Sequence, residues 1–350
     1  MKNSISISDV TEFLKSYDGD PLSFMEVCGT HTAAISENGI PSLLSDKIRL
    51  ISGPGCPVCV TVASYIDRLC ELAMSENTCV VTFGDMIRVP GSEKSLQNVK
   101  ALGGQIEMVY SPFEIIELAE KNPETTFVFA AVGFETTTPI YAVLMDKIID
   151  KNINNIKLLT ALKTMPNAID TLCGMGCKVD GFIAPGHVSV ITGAAAFQPL
   201  AEKYQLPFVV SGFEGKELLA SIYALVKLKG KSKVLNLYKS AVSDDGNIKA
   251  QKLVEKYFEP CDAGWRGIGN IKNSGMALKE KYKKYDAGSK ELVNDNMKNS
   301  HCSCGEVITG FKSPRECSLF GKACTPENPQ GACMVSNEGA CFHYFINNRG

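Results

Sequence analysis

Residues 127–135, FVFAAVGFE, carry the pattern that decides the fold: a run of apolar, β-prone residues that ends in a glycine-containing loop. Similar runs alternate with helical patterns up to about residue 240, and this alternation is typical of parallel sheets connected by helices. The predicted strands are SFMEV (23–27), IRLIS (48–52), CVVTF (79–83), IEMVY (106–110), FVFAAV (127–132), KLLTA (157–161), GFIAP (181–185) and PFVVS (207–211). The sequence therefore predicts an α/β fold with two similar parallel-sheet domains facing a cleft.

Five of these strands run directly into loops rich in glycine and proline. In open α/β sheets the loops at the carboxyl ends of the strands line the ligand crevice, so we expect these loops to converge on one cleft. Gly-Phe-Glu occurs in two of them, at 133–135 and 212–214, which agrees with two halves of matching architecture. The loops are ISGPGCPVC (51–59), TFGDMIRVPGS (82–92), AVGFETTTP (131–139), APGHVS (184–189) and SGFEGKE (211–217).

The composition changes near residue 240 to polar, lysine-rich segments, and from His301 onward to a cysteine-dense tail. We predict a first α/β domain over 1–124, a second over 125–240, and a helical segment with a small cysteine-rich domain over 241–350. The segment GWRGIGNIKNSG (264–275) has glycines at the wrong spacing for a dinucleotide-binding loop, and we interpret it as a turn-rich linker.

Charge and cysteine content limit the possible functions. The 350 residues include 36 Lys plus Arg against 38 Asp plus Glu, and no basic block suits nucleic acid. The N-terminal MKNSISISDVTEFLKSYDGD lacks the apolar core of a signal peptide, and no run approaches the roughly 20 apolar residues of a membrane span, so we expect a cytoplasmic protein. In that compartment, 14 cysteines indicate metal binding or thiol chemistry rather than structural disulfides.

Six of those cysteines lie within forty residues of the tail, where few apolar runs are available to build a core. A bound metal is expected to supply the missing folding energy, with buried unliganded thiols as the alternative. Four thiolates suffice for a [4Fe-4S] cluster or a zinc ion, and the ligand type alone does not choose between them. The six are Cys302, Cys304, Cys317, Cys324, Cys333 and Cys341.

A second group is Cys56-Pro57-Val58-Cys59, which follows a predicted strand within a glycine-rich loop. Two sulfurs at this spacing approach bonding distance, and nearby backbone N–H groups favour the thiolate form, so redox exchange is the predicted role. Half of a zinc site, or simple burial, is the alternative.

A third group is Cys28-Gly29-Thr30-His31, directly after the first strand. Thiolate and imidazole together suit iron, and they also suit a nucleophile with its base. A structural histidine is the alternative for His31.

The remaining predicted site residues are polar side chains in the loops. Asp85, Arg88, Glu135 and His187 are expected to line a polar cleft. Arg88 either receives an anionic ligand or pairs with Asp85 or Glu135, and His187 either orients a ligand or caps a helix. The other cysteines are expected to be buried as small hydrophobic residues: Cys70, Cys79, Cys173, Cys177 and Cys261.

Two motifs carry a resemblance to a known family. MEVCGTH (25–31) and the pattern C-x14-C-x6-C-x16-C, formed by Cys302, Cys317, Cys324 and Cys341, are similar to those of the HypD family of hydrogenase maturation proteins, over essentially the full chain. The resemblance implies that these four cysteines hold a [4Fe-4S] cluster and that Cys28 binds iron under assembly. Cys304 and Cys333 fall outside the pattern, and either form a reversible disulfide or remain free thiols.

The resemblance also implies a function. It is assembly of the Fe(CN)2CO unit of [NiFe] hydrogenases, on a scaffold shared with a HypC-type small chaperone and supplied with cyanide by HypE, for eventual delivery to the hydrogenase large subunit. Electrons would come from the cluster and from Cys56 and Cys59, so the protein is expected to be a redox-active scaffold for assembly of the metal centre, and whether it is an enzyme is left open. The alternatives are a general iron–sulfur dithiol–disulfide reductase and a structural scaffold with zinc in the tail.

Overall fold

The computed structural model describes residues 6–296 and 301–347. Residues 1–5, 297–300 and 348–350, which belong to the predicted ranges 1–124 and 241–350, lie outside the described residues. The described strands are β1 (Leu22–Glu26), β2 (Ile48–Ser52), β3 (Thr78–Thr82), β4 (Ile106–Met108), β5 (Thr126–Gly133), β6 (Ile156–Lys163), β7 (Gly181–Pro185), β8 (Phe208–Ser211), β9 (Val234–Asn236), β10 (Phe258–Trp265) and β11 (Gly269–Leu278). All eight predicted strands are confirmed, each to within about two residues at either end.

The strands form two sheets. The first sheet has the order β2-β1-β7-β8-β9, and all its neighbouring strands are parallel. The second sheet has the order β10-β11-β6-β5-β3-β4, with β3 to β6 parallel and the β10–β11 hairpin antiparallel. The sequence of a strand such as β5 is a continuous apolar run, because helices or other elements cover both faces of a parallel sheet. The predicted α/β fold with two parallel-sheet units is confirmed, and the second sheet is mixed.

Helices connect and cover these strands. Helix α3 illustrates the cause: Tyr65, Ile66, Leu69 and Ala73 recur at helical spacing and are buried. The helices are α1 (Ile7–Lys15), α2 (Gly29–Glu37), α3 (Ala63–Ala73), α4 (Leu96–Ala101), α5 (Glu114–Lys121), α6 (Thr138–Asp150), α7 (Met165–Gly174), α8 (Gly186–Thr192), α9 (Gln198–Tyr204), α10 (Gly215–Lys227), α11 (Ile248–Tyr257), α12 (Cys304–Ile308), α13 (Ala332–Val335) and α14 (Ala340–Asn347). No helix of the described residues is long and apolar enough to cross a membrane.

The division of strands between the sheets does not follow the predicted boundary after residue 124. The first sheet takes β1 and β2 from the N-terminal region and β7 to β9 from residues 181–236. The second sheet takes β3 and β4 from before the boundary and β5 and β6 from after it. Periodicity in the sequence shows which residues are buried but not which strands pair, so chain order was an unreliable guide to sheet membership.

The predicted linker at 264–275 is wrong. These residues end β10 and form most of β11, with a tight turn at Arg266–Ile268 between them. Gly267 adopts φ of +74° in this turn, and a Cβ there would lie 2.1 Å from the Cα of Gly305. The glycines therefore serve a hairpin whose turn packs against the cysteine-rich segment.

The cysteine-rich segment, residues 301–347, packs into a core shared with both sheets. Its buried apolar side chains include Val307, Ile308, Met334 and Val335. Burial therefore contributes to the folding of this segment, contrary to the expectation that a metal alone would do so. Of the five cysteines expected to be buried, Cys70 and Cys79 are buried, whereas Cys173, Cys177 and Cys261 are only half-buried.

Candidate functional site

The site begins where β1 ends. Cys28 precedes the first turn of α2, and its amide donates a hydrogen bond of 2.9 Å to Oε2 of Glu26. The next amide, of Gly29, donates to the carbonyl oxygen of Gly55 at 2.9 Å. Gly55 is equally constrained, because a Cβ there would lie 2.2 Å from the Cys28 nitrogen. Because β1 and β2 are adjacent parallel strands, the CGTH and CPVC motifs lie against each other at one sheet edge.

Two carboxyl groups flank the Cys28 thiol. Glu26 is 1% exposed, accepts from the Thr32 hydroxyl as well, and burial raises its pKa to about 7. Glu338, from the cysteine-rich segment, accepts from the Thr30 hydroxyl at 3.3 Å. Burial, with the charges of Glu26 and Glu338 adding to it, raises the pKa of Cys28 to about 12. The thiol is therefore protonated when no cation is present, and a metal cation would displace its proton.

His31 lies fully buried in the same turn. Its Nε2 lies 3.0 Å from the carbonyl oxygen of Gly212, whereas its Nδ1 has no hydrogen-bond partner among the described residues. Burial lowers the pKa of His31 to about 4, so the ring is neutral at physiological pH. A neutral ring that donates from Nε2 has an unprotonated Nδ1, which is the form that binds metals.

An aromatic stack joins His31 to His187. Phe213 lies between them, with ring centroids 4.7 Å from His31 and 4.0 Å from His187. His187 occupies the first turn of α8, is exposed, and has its pKa lowered by partial desolvation. The loops after β7 and β8, two of the five that were expected to converge, thus reach the CGTH motif.

Cys56 and Cys59 form a disulfide. Both are buried, at 4% and 1% exposure. The sulfur of Cys59 lies 4.0 Å from the carbonyl oxygen of Ala332, the first residue of α13. The CPVC motif therefore contacts Cys28 on one side, through Gly55, and the cysteine-rich segment on the other.

The tail cysteines lie together. The Cys341 amide donates to the Cys333 sulfur at 3.2 Å, and a Cβ at Gly331 would lie 2.7 Å from the Cys302 sulfur and 3.6 Å from the Cys304 sulfur. Cys324 interacts electrostatically with Cys302 and Cys317, and Cys341 with Cys302 and Cys324. The structure thus collects the four predicted cluster ligands in one region, with Cys304 and Cys333 as neighbours that are free thiols.

The chemistry of this donor set fits an iron–sulfur cluster. Among the described residues, no three His, Cys, Asp or Glu side chains converge as the ligands of a single metal ion do. A cubane needs no such convergence, because each cysteine binds a different iron atom. The amide of Gln330 donates to the Cys324 sulfur at 3.4 Å, and such N–H groups stabilise negative charge on cluster sulfurs. The cluster assignment stays a prediction.

Asp85 and Arg88 lie in the 3₁₀ turn Gly84–Arg88 after β3. The pKa of Glu338 is raised by burial and further by the charge of Asp85, so Asp85 belongs to the surroundings of the CGTH motif. Nη1 of Arg88 donates to the carbonyl oxygen of Pro326 at 3.0 Å, which directs it toward the cysteine-rich segment. No ion pair of Arg88 with Asp85 or Glu135 is present among the described residues.

Glu135 is placed differently from the other predicted pocket residues. Its Oε1 accepts from the amide of Met165 at 2.8 Å, and Oε2 is buried with no hydrogen-bond partner in the described part of the chain. Burial raises the pKa of Glu135 to about 7. Its described contacts lie at the start of α7, and none joins it to Cys28.

Sequence reasoning missed three residues of this site. Glu26 stands inside the MEVCGTH motif, and Glu338 precedes the last predicted cluster ligand by three positions. Arg266 is 1% exposed, donates to the carbonyl oxygens of Thr61 and Pro90, and places a positive charge near Cys302 and Cys304. Of the three, only Glu26 could have been found from the sequence, because it lies two residues before Cys28. Glu338 and Arg266 reach the site through contacts between residues that are far apart in the chain.

Comparison with known proteins identifies relatives over nearly the whole chain. The family model named HypD, described as the hydrogenase formation hypA family, matches residues 5–348. A putative hydrogenase expression/formation protein of Methanocaldococcus jannaschii is 42% identical over 93% of this chain and 92% of its own length. The hydrogenase maturation factor HypD1 of Bradyrhizobium diazoefficiens is 41% identical, and HypD of Escherichia coli 39% identical, each over 93% of this chain and 89% of its own length.

Proposed function

The chain belongs to the HypD family, and from this premise we propose that it is the scaffold on which the Fe(CN)2CO unit of [NiFe] hydrogenases is assembled. The observation that carries the proposal is the position of Cys28: a buried thiol between Glu26 and Glu338, against the loop of the Cys56–Cys59 disulfide. A hydrogenase maturation role is common to the relatives; the specific cargo and partners are our proposal.

In this proposal Cys28 binds the iron cargo. Its proton leaves as the cation arrives, and the carboxylates of Glu26, which is buried, and Glu338, which is half-buried, offset the positive charge of the metal. Nδ1 of His31, which has no hydrogen-bond partner in the described structure, offers a second donor or orients the cargo. The stack of His31, Phe213 and His187 holds that ring in place.

Cys56 and Cys59 provide the electrons for cyanide transfer. Releasing cyanide from a thiocyanate on HypE breaks the S–CN bond and needs two electrons: R–SCN gives R–S⁻ and CN⁻. The reduced pair supplies them as two thiolates become the disulfide, so atoms and charge balance. A [4Fe-4S] cluster held by Cys302, Cys317, Cys324 and Cys341 would supply single electrons at low potential. The contact between Cys59 and Ala332 supports this pairing of CPVC motif and tail.

The polar residues of the loops shape the cavity that receives cyanide. Asp85 acts near Glu338, while Arg88 faces the segment 326–330 and attracts anions toward it. His187 lies on the exposed side of the aromatic stack, where it can contact a partner's substrate group. Glu135 accepts a hydrogen bond from the first residue of α7, and it therefore affects the cavity only indirectly, through the position of that helix.

The proposed partners are a HypC-type small chaperone, HypE, and indirectly the hydrogenase large subunit, all in the cytoplasm. The rival function, a general dithiol–disulfide reductase, would use the CxxC and the cluster. It leaves without a role the CGTH motif, which is hydrogen-bonded to the loop of the CPVC motif.

Infrared spectroscopy on the anaerobically purified protein, alone and with its small chaperone, tests the proposal. We expect bands of metal-bound CO and cyanide, together with about four irons and acid-labile sulfide for the cluster. Cys28→Ala should lose the bands. Cys79→Ala, which removes a buried cysteine on β3, should keep them.

Cluster iron without CO and cyanide bands under maturation conditions would contradict the assembly role, particularly if the protein reduced generic disulfides rapidly. A colourless protein that contains zinc would instead support a structural tail. Retention of the bands in Cys28→Ala would remove Cys28 as the cargo ligand.

A further inference from the structure

A second pair of cysteines lies at the end of α7, outside the site described above. The helix ends at Gly174, within the sequence Cys173-Gly-Met-Gly-Cys177. Gly176 adopts φ of +79°, which a glycine permits. The Gly176 amide donates to the carbonyl oxygen of Cys173 at 3.0 Å, and the Cys177 amide to that of Leu172 at 3.2 Å. These two bonds define a Schellman motif, which folds Cys177 back over the last helical turn.

The motif brings the two thiols into contact. Cys173 and Cys177 are free thiols, and they lie close enough for each to shift the pKa of the other. Both are half-buried, whereas Gly174, Met175 and Gly176 between them are exposed. Solvent and small solutes therefore reach this pair.

The surroundings make the two thiols unequal. The hydrogen bond from Cys173 lowers the pKa of Cys177, as in other closely spaced dithiols. The same hydrogen bond raises the pKa of Cys173, and the nearby Lys203 only partly opposes this. The hydrogen bond thus favours ionisation of one thiol of the pair, and in this arrangement the thiolate is on Cys177.

We propose that Cys173 and Cys177 form a second redox-active dithiol, which exchanges with small-molecule disulfides of the glutathione class. The Cys177 thiolate attacks one sulfur of RSSR, forming a mixed disulfide and expelling RS⁻. The Cys173 thiolate then attacks the sulfur of Cys177 and expels the second RS⁻. The two cysteine protons pass to the two RS⁻ groups, so RSSR is reduced to two RSH as the cysteine pair is oxidised.

The sequence allows a direct test on the full-length protein. Trypsin cleavage after Lys163 and Lys178 releases residues 164–178, which contain these two cysteines and no others. The protein is equilibrated with oxidised and reduced glutathione at graded ratios, quenched in acid, alkylated and digested. As the oxidised fraction rises, we expect this peptide to change from doubly alkylated to unalkylated with the loss of two hydrogens.

The digest contains its own control. Residues 69–88 form a peptide with Cys70 and Cys79, which are buried in two different hydrophobic clusters and should stay doubly alkylated. In Cys173→Ser the internal disulfide should be lost completely and glutathione should remain on Cys177. Peptide 164–178 that stays doubly alkylated at every ratio, or that carries only glutathione in the unsubstituted protein, would overturn the proposal. The test is independent of hydrogenase maturation.

Discussion

The Cα of Gly29 lies so close to Glu338 that a Cβ added to this glycine would come within 2.4 Å of the glutamate Cβ. Glu338 belongs to the cysteine-rich segment, and Gly29 directly follows the cysteine that we propose binds iron. The carboxyl of Glu338 also reaches the hydroxyl of Thr30, across 308 residues of sequence. The CGTH motif is therefore covered by the tail of the same chain.

Gly29→Ala should disrupt this contact. A methyl group cannot fit beside Glu338 without movement of the backbone, and overpacking of this kind costs about 1–3 kcal/mol. We expect a lower midpoint in denaturant unfolding. Gly84→Ala is the matched control, because a Cβ at Gly84 meets nothing within 4 Å. Equal midpoints for the two variants would show that the tail does not pack as described.

Glu338→Gln should make Cys28 more acidic. The charge of Glu338 is one cause of the raised pKa of Cys28, and the amide keeps an acceptor for Thr30. Alkylation of Cys28, measured against pH on tryptic residues 16–47, should then reach its half-maximal rate at lower pH. Glu306→Gln, which changes an exposed carboxylate paired with Lys312, should leave the profile unchanged. A shift in both variants would point to a general loosening of the tail.

Glu135→Gln should remove a pH dependence of stability. The folded state holds the Glu135 proton more tightly than the unfolded chain, since burial raises the pKa from 4.5 to about 7. The contribution of Glu135 to the free energy of unfolding is therefore greatest below pH 4.5. It falls by roughly 3 kcal/mol as the pH rises to about 7. The free energy of unfolding of the wild type, relative to the variant, should fall over that window. If the free energies of unfolding of the two proteins changed with pH in the same way, the Glu135 carboxyl would be solvated in the folded state.

Arg266→Ala should destabilise the fold strongly. Arg266 is buried, donates to two carbonyl oxygens and lies 3.6 Å from Asp295, so its loss leaves buried polar groups without partners. Breaking a buried ion pair costs about 3–5 kcal/mol. Arg68→Ala breaks the exposed pair with Glu71 and should cost less than about 1 kcal/mol. Unfolding can be followed by circular dichroism and by the fluorescence of Trp265, the single tryptophan of the chain; similar losses in both variants would contradict this role.

Individual replacement of Cys302, Cys317, Cys324 or Cys341 by Ala should abolish the four-iron content and the acid-labile sulfide. Cys304→Ala and Cys333→Ala, which change neighbouring thiols in the same region, should retain both. Iron and sulfide analysis on anaerobic protein distinguishes the two sets. Loss of iron in Cys304→Ala with retention in Cys317→Ala would require a different set of ligands.

The strands and the loops that follow them could be predicted because their causes are local. The run from Phe127 to Val132 is apolar throughout, as a strand covered on both faces must be, and the glycine after it ends the strand. The hairpin of β10 and β11 escaped prediction because its glycines and polar residues, between Gly264 and Gly275, also suit an irregular turn. Its strand identity depends on pairing with β6, which the local sequence does not encode.

By itself, the sequence determined the α/β class, the eight strands, and the spacing of the cysteine motifs, since each follows from periodicity or from residues close in the chain. Only the tertiary structure decided that β1 pairs with β7, that Glu338 and Asp85 act near Cys28, and that Arg266 lies beside the tail cysteines. The physical reason is that burial patterns specify which side chains leave water, whereas pairing depends on the packing of distant segments against one another. The chemistry of the thiols could therefore be predicted from the sequence, whereas the residues that surround them could not.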